Sequence, residues 1–257
     1  MRLLFQRGWR PITVLILFLI IWEFLCRLFN VPAWLLPAPS DILHEGINGW
    51  PSYKHHLYST IVLTLLGFLT GTVIGLLTAF VLHLLPAVRE ALYPLLILSQ
   101  NIPIIVLAPL LVIWFGFGWL PKILVIVLVC FFPIAVAAMD GLRQTSQELM
   151  HYMKMAGATK AQIFTKLEWP HALPSIFSGL KISATYSVMG AVISEWLGAK
   201  NGIGVYMTLA SSSFHTDRVF VAIFLIMLLS LLFFLVISLL ERRAAKWQQK
   251  KGEKANG

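Results

Sequence analysis

The chain has 257 residues, is 58% hydrophobic and only 12% charged, and carries a formal net charge of +9. A soluble domain could not keep that much apolar surface off its exterior, so lipid is the expected solvent for most of the chain. The apolar runs are continuous rather than alternating, which argues against sheets and for an all-α membrane protein.

A bilayer span needs about 20 apolar residues, and six runs qualify: 11–29, 58–85, 92–114, 121–139, 177–197 and 218–240. Arg2, Arg7 and Arg10 precede the first run, and no small-residue cleavage site follows, so it reads as an uncleaved span. Within it, Glu23 and Arg27 are four apart and can pair on one helical face. Cys26 and Cys130 both fall in predicted spans and read as inert buried thiols, with no disulfide. No metal or cofactor site is expected.

The connection 30–56 contains Leu36-Pro37-Ala38-Pro39-Ser40-Asp41. Ser40 or Asp41 is expected to cap a short helix around 42–47, lying along the membrane surface. Trp34, Trp50 and Tyr53 suit the same interface. The second span then carries Gly67, Gly71, Gly75 and Ala79, a stripe of small residues at every fourth position. Such a stripe predicts close approach of another helix.

The third span opens with Ser99-Gln100-Asn101-Ile102-Pro103 and continues through Ala108-Pro109. Amides and prolines inside a membrane helix free backbone carbonyls that protein or water must satisfy. Gln100, Asn101 and Pro103 therefore mark either a packed kink or the wall of a hydrated pathway. Asp140 closes the fourth span and is expected to meet Arg143.

The most polar internal stretch is 141–174. Thr145 with Glu148 and Thr159 with Gln162 each fit a capping box. Leu149, Met150, Met153 and Ala156 share one predicted helical face, and Ile163, Phe164 and Leu167 share another. Ala156-Gly157-Ala158 separates the two helices, and Trp169-Pro170 ends the pair. A folded polar hairpin on so apolar a chain suits the docking of a soluble partner.

Glu195 ends the fifth span before Trp196-Leu197-Gly198 and Gly202-Ile203-Gly204. It reads as buried near the outer mouth, with solute contact as the alternative. Ser211 to Ser213 and His215 read as a solvated loop. With both termini inside, fifteen lysines and arginines face the cytoplasm and five the outside, which obeys the positive-inside rule. The 141–176 loop is then cytoplasmic. The basic tail is expected to be a topology anchor near anionic lipid, not a nucleic-acid arm.

The hairpin resembles the Glu-Ala-Ala loop of permease subunits in bacterial ABC importers. Gly157, Leu167 and Pro170 stand at the matching offsets, with Trp169 in place of a leucine and His151-Tyr152-Met153 in place of Glu-Ala-Ala. Leu36-Pro37-Ala38-Pro39-Ser40, Asn101 to Leu110, Trp114 to Gly118 and Glu195 to Gly204 resemble the nitrate, sulfonate and taurine branch of that superfamily. Permeases for a thiamine pyrimidine precursor belong to the same branch, and 193–207 is compatible with them. The resemblance covers about residues 10 to 243.

It implies a type I importer permease of six transmembrane helices, one domain over 1–257, in the bacterial inner membrane. It further implies a second permease copy and a substrate-binding protein docked outside, near 30–56 and 198–217. A cytoplasmic ATPase would be engaged by a coupling helix around 156–164. Ala156, Gly157, Ala158, Thr159, Ile163, Phe164 and Pro170 are the coupling candidates. The chain has no G-x-x-x-x-G-K-[ST] loop, so ATP hydrolysis is expected from the separate subunit and not from this chain. An ion-coupled secondary transporter is the rival from another class, but Glu23 and Glu195 lie near span ends and the two halves show no obvious repeat. A scaffold protein would explain the hairpin but not the proline-broken third span.

Overall fold

The computed structural model describes residues 2–244, and those residues contain helices and no strand. The order is α1 (Arg2–Leu28), α2 (Pro39–Asn48), α3 (Trp50–Leu84), α4 (Pro86–Ser99), α5 (Ile104–Phe115) and α6 (Trp119–Arg143). Then come α7 (Gln147–Met155), α8 (Lys160–Ile163), a π-helical turn (Phe164–Glu168), α9 (Trp169–Glu195), α10 (Ile203–Ser212) and α11 (Thr216–Ala244). Five helical segments are long and apolar enough to cross a membrane: 9–28, 50–84, 119–143, 160–195 and 216–244.

Helix α6 is the centre of the bundle, with α3 on one side and α9 on the other. The glycine stripe of α3 faces it. A Cβ built on Gly67 would lie 2.5 Å from Ile126 Cβ, one on Gly71 2.9 Å from Cys130 Cβ, and one on Gly75 3.1 Å from Ile134 Cβ. Helix α9 approaches as closely, since a Cβ on Gly179 would lie 2.7 Å from the Pro133 carbonyl oxygen. Ser183 Oγ donates to the Cys130 carbonyl at 2.9 Å, and the Cys130 thiol donates back to the Ser183 carbonyl at 3.5 Å. Cys130 is thus buried and committed, as a structural thiol should be. Helix α11 closes the bundle, with Lys181 paired to Glu241 at 2.9 Å and Phe68 edge-on to Phe233.

Helix α1 buries little of its apolar surface in the bundle. It is held by Trp22 against Phe220, and by a polar knot in which Arg27 pairs with Glu23 at 3.0 Å and with Asp41 at 2.9 Å. The expected Glu23–Arg27 pair is therefore present. Ser40 is tied into the knot instead of capping α2: its backbone N–H and hydroxyl both donate to Glu23. Ala38 takes the N-cap position and Pro39 opens the helix, where its missing N–H costs nothing.

Other expectations are corrected. The run 92–114 is not one helix, because Pro103 lacks an N–H and forces the residue before it out of the helical region, so α4 and α5 are separate. The 177–197 span begins earlier, since Pro170 sits in the first turn of α9 and does not end a helix. Tyr53 is buried and donates to the Gly46 carbonyl at 2.6 Å, while Trp34 and Trp50 are exposed as an interface requires. Asp140 accepts a long 3.5 Å bond from Tyr93 Oη rather than pairing with Arg143. Lys246, Lys250, Lys251 and Lys254 of the expected basic anchor lie outside the described residues.

The close contact of α3 and α6 sets a first test. Gly67→Ala places its new methyl inside contact distance of Ile126, and overpacking of this kind costs about 1–3 kcal/mol. Purified in detergent, the variant should unfold at a lower temperature than the parent. An unchanged melting curve would mean the two helices are not packed this tightly.

Candidate functional site

Two features stand apart from the packed core: a groove beside the α4–α5 break, and the hairpin between α6 and α9. The groove has a volume of about 410 Å³ and is walled by three elements. Gln100, Pro103 and Ile104 come from the break, Phe132 and Pro133 from α6, and Tyr186 and Met189 from α9. The break exists because of Pro103, and its loose backbone is tied locally, with the Asn101 amide donating to the Ile97 and Leu98 carbonyls at 3.4 Å. Asn101 is thus spent on the kink, while Gln100 and Pro103 face the groove. Pro133 cannot donate to the carbonyl of Val129, which also lines the groove, so α6 leaves that acceptor without its helical partner. The start of α5 adds amide N–H groups that have no acceptor within the helix.

No cationic side chain is among the described residues lining this groove. Its chemistry is aromatic and amide: flat apolar faces, a few hydrogen-bonding groups, and no fixed charge. The remaining pathway candidate, Glu195, is elsewhere. It is 1% exposed and bonded within the fold to Thr60 and Gly204. Phe132, Pro133, Tyr186 and Met189 escaped the sequence reading because α6 and α9 look uniformly apolar. Tyr186, with a phenol mid-span, and Pro133 were the available signals.

The hairpin is well built for its size. Helix α7 ends in a Schellman motif, with Gly157 N–H donating to the Lys154 carbonyl and Ala158 N–H to the Met153 carbonyl, both at 3.0 Å. Gly157 has φ +77°, a region closed to most side chains, and open space lies around it. The Thr159–Gln162 capping box is complete: Gln162 N–H donates to Thr159 Oγ1 at 3.3 Å, and Thr159 N–H donates to Gln162 Oε1 at 2.8 Å. The Thr145–Glu148 box is not formed. Ser146 caps α7, and Thr145 is buried and donates to the Leu142 carbonyl.

Residues 156–159 therefore form a turn, and helix resumes only at Lys160. Ile163 is buried, and Phe164 packs between Phe80 and Trp169, so both anchor the hairpin to the bundle. His83 Nε2 meets Glu168 at 3.0 Å and ties the π-helical turn to the end of α3. Pro170 follows in the first turn of α9. The expected face of α7 splits: Met150 and Met153 are half-buried, while Leu149 and Ala156 are exposed. Tyr152 and Met155, with Ala156, Gly157 and Thr159, make up the exposed tip.

A broken helix opening a groove across a small-residue bundle, with a rigid polar hairpin at one end, defines a membrane transport component. Residues 71–246 match the binding-protein-dependent transport system inner membrane component family, and the chain belongs to it. It is 37% identical to the formylaminopyrimidine transport permease protein ThiX of Halalkalibacterium halodurans, covering 94% of this chain and 96% of that protein. It is 33% identical to the riboflavin transport system permease protein RibX of Chloroflexus aurantiacus, covering 93% and 89%. The taurine permease TauC of Escherichia coli, at 29%, and the putative aliphatic sulfonate permease SsuC of Bacillus subtilis, at 30%, are also relatives. Among solved structures, the inward-facing MetNI methionine ABC transporter matches with TM-score 0.63 at 20% identity, over 74% of this chain and 94% of that one. The fold is that of a type I ABC importer permease. The chain is a multi-pass inner-membrane subunit, and in this family the ATPase is a separate subunit.

The capping box supplies a test of the hairpin. Thr159→Ala removes one N-cap bond, a loss of about 1 kcal/mol. The chain should still insert, but trypsin should cut at Lys160 faster than in the parent. Equal rates would show that the cap does not hold the tip.

Proposed function

We propose that this chain is the permease half-site of an ATP-driven importer for an uncharged heteroaromatic solute of the formylaminopyrimidine class. The identity of 37% to ThiX over nearly the full length of both chains is the observation that carries the solute. The groove is compatible: Phe132 and Tyr186 offer flat faces to a planar ring, and Gln100 and the start of α5 offer donors to ring nitrogens or a formyl oxygen. Sulfonate, taurine or nitrate is the second reading, favoured by the sequence motifs and by TauC and SsuC. No cation is among the described residues lining the groove, which ranks this reading lower, since an anion without a positive partner or several donors is costly to bury.

Two copies would face each other and complete the pathway between them. The excess of basic residues on one side supports a topology with both termini and the 141–176 loop in the cytoplasm. There the tip around Ala156–Thr159 would dock on the ATPase, with Ile163, Phe164 and Pro170 transmitting its movement to α9. A binding protein would deliver solute to the opposite face.

Reconstituted with its ATPase and binding protein, the importer should take up formylaminopyrimidine only when ATP is inside the appropriate compartment, and excess taurine should not compete. Uptake driven by an ion gradient without ATP would overturn the class, and competition by taurine would favour the second reading. Gly157→Glu puts bulk and charge at the exposed tip in a strained backbone conformation. It should insert normally and lose nearly all uptake, whereas normal uptake would remove the docking assignment.

A further inference from the structure

Glu195 is a buried carboxylate, 1% exposed, that the proposed function leaves without a role. Its Oε1 accepts from Thr60 Oγ1 at 2.6 Å and its Oε2 from the Gly204 N–H at 2.7 Å. Thr60 Oγ1 in turn accepts from the Ile203 N–H at 2.8 Å, and the Gly202 N–H donates to His56 Nδ1 at 3.1 Å. The start of α10 is thereby held by α3 and by the end of α9 at once. The fit allows no side chain at Gly202, where a Cβ would fall 2.1 Å from Glu195 Cδ and φ is +139°.

The segment from Trp196 to Gly202 leaves this clamp and reaches across to the groove's least anchored wall. Leu197 packs with Ala108 and Leu111 of α5 and with Val125 of α6. Phe117, just beyond α5, lies against Gly198, whose φ is +78° and whose missing Cβ would sit 2.7 Å from the ring. Helix α5 otherwise exposes Ile105, Val106, Ile113 and Trp114, so its hold on the bundle is narrow.

We propose that Glu195 is a positioning residue for the solute groove: by clamping α10 to α3 it fixes the 196–202 strut, and the strut fixes α5, which carries Ile104 and Leu107 of the groove wall. This rests on the reading of the groove as the solute path. The clamp needs two hydrogen bonds at residue 195, with Thr60 and with the Gly204 N–H, and not a charge as such. In Glu195→Gln the amide oxygen can keep the Gly204 bond, and Thr60 can turn its hydroxyl to the His56 carbonyl, 3.2 Å away, and accept from the amide nitrogen. Glu195→Ala loses both.

The test uses the importer assembled with its ATPase and binding protein in nanodiscs and proteoliposomes. Spin labels on Ile113→Cys in α5 and Ser212→Cys in α10 report the strut by double electron–electron resonance, and formylaminopyrimidine uptake reports the groove. The parent and Glu195→Gln should give the same narrow within-copy distance, read in importers diluted with unlabelled permease, and comparable uptake. Glu195→Ala should broaden the distance and lower uptake about tenfold, the scale expected when the two hydrogen bonds of the clamp are lost, with basal ATP hydrolysis unchanged. If Glu195→Ala does not assemble, Thr60→Ala is measured in its place and should behave the same way. An Ala variant with the parental distance, or with parental uptake, overturns the proposal. A parent that takes up no pyrimidine defeats the solute reading instead, and the distance measurement still judges the clamp.

Discussion

The contact on which the rest of the bundle depends is that of α6 with the glycine stripe of α3. In lipid there is no hydrophobic drive to bring helices together, so association rests on packing and on hydrogen bonds between backbones and small side chains. Gly67, Gly71 and Gly75 let α3 come within side-chain distance of α6, and Gly179 and Ser183 do the same for α9 from the other side. With α6 held on both flanks, its remaining face is free to carry Phe132 and Pro133 into the groove. A looser core would give that wall no fixed place.

The groove and the hairpin use proline and glycine in opposite ways. In the third run, Pro103 breaks a membrane helix and creates a polar opening that Asn101 partly mends. In the hairpin, Gly157 ends one short helix cleanly, and Pro170 begins a long one where its missing donor is harmless. Backbone irregularity is concentrated at the groove and the hairpin, and the interruptions within α6 and at the start of α9, at Pro133 and in the π-helical turn, adjoin those same two features.

Most of the architecture was legible because its signals are local. The all-helical class, the α3 stripe, the Glu23–Arg27 pair and the Thr159–Gln162 box each depend on residues within a turn or two of one another. The proline at 103 was read, but its full consequence was not: hydropathy sees one apolar run where the backbone makes two helices. The Thr145 box failed because burial turned its hydroxyl to Leu142 and gave the cap to Ser146. The groove's walls on α6 and α9, and the link from Glu195 to Thr60 across 135 positions of chain, are tertiary facts. No periodicity carries them, and the polar residues His56 and Thr60 at the mouth of an apolar run were their only trace.

One dimension of the helix that ends at Glu195 has a further meaning. From Lys160 to Glu195 the chain stays helical for 36 residues, through the π-helical turn. At the α-helical rise that is about 54 Å, well beyond a hydrocarbon core of about 30 Å. The excess makes the element a stalk as well as a membrane span. At its hairpin end Ile163 is buried and Phe164 packs on Phe80, so this end is braced against α3 and only the turn 156–159 projects beyond it. The pin between His83 and Glu168 adds a second brace at the same end, so the hairpin tip and the adjoining ends of α3 and α9 form one stiff corner.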